Sequence, residues 1–165
     1  MASMANLRND EAEQSILSAI FCKPDMIYEI QSTLKATDFY HASNQLIYTA
    51  MIEMAAERVP IEIVSTIERL RKDGNLDKAG GVVQVTTVAN TVSTAAYVNQ
   101  HIEIVKGLSQ RRRLMVLSRD IETVAGDVSE ELDFPTMQSK LAGIVNQRSD
   151  GIKNLNASGA TASRT

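Results

Sequence analysis

The densest cluster of charge in the chain is basic: Lys106, the run Arg111-Arg112-Arg113, and Arg119. Guanidinium groups grip carboxylates and phosphates through a planar fork of donors. The apolar spacing around these residues is that of a helix, where successive side chains point about 100° apart. Three adjacent arginines therefore fan around the helix and cannot form one flat patch. Three roles are open to them. They can be a solvated face with ion pairs to carboxylates such as Asp120 or Glu122, a contact with a partner protein or second copy, or a nucleic-acid contact. Nucleic acid is the weakest of these, so DNA contact is expected to be weak or indirect. Single-strand binders combine basic grooves with stacking aromatics, and no aromatic lies between Tyr97 and Phe134. The net charge of −3 also makes the whole molecule no polyanion binder by electrostatics alone.

No other constellation supports catalysis. His41 and His101 have no carboxylate or cysteine at metal-ligand spacing, and His41, just after an aromatic turn, is placed to cap a helix. Cys22 has only Lys23 beside it to activate the thiol and is expected to be buried. No serine sits in a G-x-S-x-G elbow. Asp10, Glu11 and Glu13 read as an acidic first turn that stabilises a helix N-terminus. None of the eight glycines falls in G-x-x-x-x-G-K-[ST] or G-x-G-x-x-G. This chain alone is therefore expected to be no enzyme, to hydrolyse no ATP, and to hold no cofactor or metal.

The elements that carry these residues are helical. Hydrophobic residues make up 44% of 165 positions, enough for a folded core, while aromatics are only 4% and Trp is absent. The core must then come from Ile, Leu, Val, Met and Ala. Helices are predicted over 10–22, with Asp10 and Glu13 at capping-box spacing; from Pro24, with Met26, Ile27, Ile30 and Leu34 on one face; and over 43–57, with Leu46, Ile47, Ala50, Met51 and Met54 inward. Thr37-Asp38-Phe39-Tyr40 reads as an irregular turn. A fourth helix presents Ile63, Val64, Ile67 and Leu70 and ends at Gly74 as a left-handed cap. Val82 to Val92, rich in valine and threonine, has strand propensity. With no second strand to pair with, it is expected to be a short helix.

Ser93-Thr94 reads as an N-cap, after which a helical pattern runs through Val98, Ile102 and Val105 to Val124. Leu114, Leu117, Ile121 and Val124 form one stripe. After a break over 127–135, Met137, Leu141 and Ile144 form a second. Two thin stripes of this kind make a helical hairpin that needs cover from elsewhere. The organisation expected is a disordered start or tag remnant over 1–8, a helical head over 9–106, a hairpin over 107–150, and a flexible tail or interdomain linker over 151–165. Gly107 is the expected joint, since glycine weakens a helix by about 1 kcal/mol relative to alanine. The single cysteine and the lack of a signal-like start point to a reducing, cytoplasmic setting. No apolar run approaches the roughly 20 residues of a bilayer span, so no membrane partner is expected.

Several strings in order resemble the N-terminal region of bacterial replicative DNA helicases of the DnaB type. Glu11-Ala12-Glu13-Gln14-Ser15-Ile16-Leu17 is similar to that family's EAEQSVL opening. Asp38-Phe39-Tyr40 with Ile47-Tyr48, Pro60-Ile61-Glu62, and Gly74-Asn75-Leu76-Asp77 with Gly80-Gly81 resemble its next segments. Thr94-Ala95-Ala96-Tyr97 and Ile104-Val105-Lys106 leading into 111–114 complete the order, so the likeness covers about 7–151. Two departures stand out. Asn90 to Thr94 lacks the family's proline, and Lys106-Gly107-Leu108-Ser109 replaces a charged joint, which is expected to loosen head from hairpin. The family's ATPase domain, with its ATP and Mg sites, has no counterpart in these 165 residues.

The resemblance implies an all-α fold, a compact multi-helix head followed by an antiparallel helical hairpin. It implies self-association through hairpins into dimers and a trimer of dimers, forming a collar on a motor ring. It further implies docking of the primase C-terminal domain and contact with helicase loader or phage proteins. Carried onto this chain, the interface would use Arg111, Arg112, Arg113, Leu114, Leu117, Ile121 and Val124 on one arm. Met137, Leu141 and Ile144 would serve on the other. The alternative is a free-standing adaptor or inhibitor that binds helicase or primase and is encoded by a mobile element.

Overall fold

The structure, a computed structural model, describes residues 4–91, 97–127 and 133–149. Among these, every regular element is helical: α1 Asp10–Cys22, α2 Met26–Thr33, α3 Ala42–Ala56, α4 Ile63–Lys72, α5 Gly81–Ala89, α6 Val98–Ala125 and α7 Phe134–Ser149. The chain divides into two compact units, Met1–Ser109 and Gln110–Thr165. The expectations for Val92, the Ser93-Thr94 cap, 128–132 within the break, and the tail over 151–165 lie outside the described residues.

In the head, α3 is the central helix. Ile47, Tyr48, Ala50, Met51 and Met54 recur at helical spacing and are all buried, and α1, α2 and α4 pack around them. Fully burying side chains of this size contributes roughly 1.5–3 kcal/mol each. α1 brings Ile16, Leu17 and Ile20 to the same core and packs on α5 as well. Cys22, expected inside, is exposed. It stands two residues past Ile20, about 200° around the helix, so the face that buries Ile20 turns the thiol outward. Pro24 precedes α2 rather than opening it, since the chain makes a turn through Pro24 and Asp25 before Met26. The start of the chain, read as disordered, contains a 3-10 turn at Met4–Asn6.

α4 buries Thr66, Ile67 and Leu70, while Val64 is 71% exposed. Val64 lies roughly 100° from Ile63 on the wheel, beyond the edge of the apolar stripe. Arg69 ties α4 to α3, donating to Glu53 and Glu57 and, one turn on, to Asp73. The helix ends where Gly74 takes φ +68° and Asn75 N–H reaches back to the Leu70 carbonyl, 2.8 Å, as a left-handed cap requires.

α5 is a helix despite its valines. Val85 and Val88 point into the core against α1 and α4, and Val82 and Val83 face outward. Burial on one face outweighs strand propensity where no second strand is available. α6 then buries Val98, Ile102, Val105 and Ser109. The head therefore extends to Ser109 rather than ending at Lys106, and α6 runs through Gly107 as continuous helix.

Candidate functional site

Several groups in the head that could do chemistry are occupied with structure: Glu13, His41, Asp10 and Tyr48. α1 is capped by Asn9, whose side chain accepts the Ala12 N–H at 2.9 Å, and not by an Asp10–Glu13 box. Glu13 is 1% exposed and serves a different helix. Its carboxylate accepts from the Tyr40 and His41 backbone N–H groups and, at 2.8 Å, from Asn44 Nδ2. It thereby closes the entry to α3, where backbone donors lack helical partners. His41 occupies the N-cap position of α3, yet its side chain makes no capping bond. It meets Asp10 instead, Nε2 to Oδ1 at 2.7 Å.

That hydrogen bond holds the Asp10 carboxyl below its usual value. Burial opposes the shift, and the charges of His41 and Arg8 add to it. Tyr48 donates its hydroxyl to the Leu34 carbonyl at 3.1 Å, and burial, then the charge of Asp38, push its ionisation far up. It therefore acts as a neutral donor. No group of three or more His, Cys, Asp or Glu stands together as a metal site among the described residues.

The arginine run lies on α6 in the second unit, and its members fan as the helical angle requires. Arg111 and Arg113 are exposed and Arg112 is half-buried; Lys106 is half-buried and Arg119 exposed. The flanking aromatics Tyr97 and Phe134 are 58% and 66% exposed, and the sequence between them holds no Phe, Tyr or Trp.

The apolar stripes of the second unit do not form a core among the described residues. Leu117, Val124, Met137, Leu141 and Ile144 are half-buried, while Leu114 and Ile121 are exposed. Phe134 and Val145 are exposed too. Sequence reasoning left these last two out, although Phe134 extends the stripe of Met137 by three residues and Val145 follows Leu141 by four. Among the described residues of 110–149, none is buried. The described apolar positions of this unit all retain solvent contact and so lack the cover a hydrophobic face normally has. Such a surface can bind protein. No described helix is long and apolar enough to cross a membrane.

Known proteins resemble the chain in sequence and in fold. Residues 5–107 match the family model described as the DnaB-like helicase N terminal domain. The replicative DNA helicase DnaC of Bacillus subtilis (strain 168) is 36% identical over 120 residues, 73% of this chain and 26% of its own length. The replicative DNA helicase DnaB of Geobacillus stearothermophilus is 32% identical over 123 residues, 74% of this chain and 27% of its own. The chain thus spans about a quarter of the length of these curated relatives.

In fold it is similar to the crystal structure of the N-terminal domain of DnaB helicase from Mycobacterium tuberculosis, with a TM-score of 0.76 at 24% identity, covering 85% of this chain and 97% of that one. It is also similar to the N-terminal domain of DnaB helicase from Helicobacter pylori, described together with its interactions with primase. There the TM-score is 0.61 at 23% identity, over 74% of this chain and 94% of that one.

Proposed function

The chain belongs to the DnaB-like helicase N terminal domain family, and from that premise we propose that it organises a replication assembly through protein contacts made by its second unit. What it carries is the N-terminal domain of a replicative helicase and not the ATPase motor. One arm surface, centred on Leu114 and Ile121, meets the same surface of a second copy. Such pairs close into dimers and, in the full helicase, into a trimer of dimers. Primase docks through its C-terminal domain at the edge formed by Arg111, Arg112 and Arg113, where forked donors suit a carboxylate-bearing partner. Loader proteins use the same region, and contact with DNA is indirect. Tethering primase beside the motor raises its local concentration at the emerging strand. This work belongs to the cytoplasm, where replication proceeds.

The observation that carries this reading is the arm itself: a family domain whose head has a full core and whose described residues 110–149 have none. The charge-reversed variant Arg112→Glu with Arg113→Glu tests the docking part. Binding to the primase C-terminal domain, followed by calorimetry, is expected to weaken at least about tenfold, as for interfacial charges that lose their partner. Its thermal midpoint is expected to stay within about 2 °C of the parent, as for surface substitutions. Unchanged affinity, or equal losses of affinity and stability, would assign the arginines to the chain's own structure.

A further inference from the structure

One buried bond joins the last turn of the head to a distant loop. Ser109 is 2% exposed, and its hydroxyl donates to Asp38 Oδ1 at 2.7 Å across 71 residues of sequence. Asp38 is itself 5% exposed and ends the 3-10 turn Ala36–Asp38, which packs on α3. Its other oxygen, Oδ2, accepts the Lys35 backbone N–H at 2.8 Å, so the carboxylate is held in place before Ser109 reaches it. The next residue along α6, Gln110, begins the second unit.

Gly107 stands two positions before Ser109. Its φ is not positive, and a Cβ built on it meets nothing within 4 Å. Neither backbone conformation nor close packing therefore calls for glycine here, and its local effect is to weaken the helix. A hydroxyl donating to a buried carboxylate is a charge-assisted bond, stronger than a neutral one and outweighing a single helical glycine.

We propose that Gly107 and the Asp38–Ser109 hydrogen bond together form a clasped joint. Gly107 is the weak point of α6, and the buried bond holds that turn helical; when the bond is lost, α6 opens at Gly107 rather than elsewhere. Val105, one turn before Ser109, stays anchored in the core by its own burial. Opening is thus confined to the backbone bonds between them and the start of the arm. The joint predicted from the glycine alone acquires a latch that no spacing in the sequence displays.

Amide hydrogen exchange on the chain by itself, with no primase present, reads the clasp separately from the docking role. Ser109→Ala removes the donor and keeps the β-carbon. Exchange at amides 106–112 is expected to rise about tenfold, the size expected for loss of a hydrogen bond to a charged group. Amides in α1 and α3 are expected to hold their rates. Adding Gly107→Ala to Ser109→Ala is expected to bring back at least about threefold of that protection by restoring helix propensity. Asp38→Asn, which preserves shape and can still accept, is expected to fall between parent and Ser109→Ala. The proposal is overturned if Ser109→Ala leaves amides 106–112 unchanged, if exchange rises evenly across the head, or if Gly107→Ala fails to restore protection.

Discussion

Glu13 shows how a single side chain can be misjudged from spacing. Three residues after Asp10 and inside an acidic first turn, it looks like one half of a local capping box. Its carboxylate is instead spent on donors at Tyr40, His41 and Asn44, a non-local partnership that no i, i+3 pattern reveals. Removing it leaves buried donors without an acceptor, so Glu13→Ala should lower unfolding stability by about 2–4 kcal/mol in urea denaturation. Replacement of the exposed Glu11 by Ala should stay within about 0.5 kcal/mol.

Asp10 offers a pH reading of the neighbouring contact. Its folded-state value is depressed from 3.8, chiefly by the hydrogen bond from His41. The stabilisation it gives is fully present above 3.8 and is lost as pH falls through the depressed value. Both side chains are substantially solvent-exposed, which keeps the energetic effect small. Replacing His41 by Ala should move the Asp10 titration midpoint, followed by carboxyl NMR, upward toward 3.8.

At the scale of elements, the helices of the head are legible because buried Ile, Leu and Met recur at three and four. The starts and stops are less so. Gly74 is legible as a left-handed cap because it follows the last polar turn of α4, and its φ of +68° agrees. Gly74→Ala should therefore cost about 1 kcal/mol in thermal unfolding, since alanine is strained there. Cys22 and Val64 turn outward because each stands well round the helix from the buried face, and which face is buried is set by the helices packed on it. α5 is the sharper case, where propensity for a strand yields to burial of Val85 and Val88 on one helical face.

At the scale of the molecule, the head carries its own hydrophobic core, and among the described residues of 110–149 none is buried. The two stripes of the arm are visible in the sequence, and so is their need for cover. What covers them is not, because helical spacing marks a face and does not name what packs on it. Under the proposed function a second copy covers them, and the exposed Leu114 and Ile121 are the residues it would touch first. The most direct test is the mass of the chain by light scattering after size exclusion, compared with that of Leu114→Asp combined with Ile121→Asp. The parent is expected to run as a dimer or larger species at micromolar concentration. The double variant should collapse to a single-chain mass while its head unfolds at the parent's midpoint. A parent that remains one chain at every concentration tried, with the variant indistinguishable from it, would contradict the proposed role of the arm.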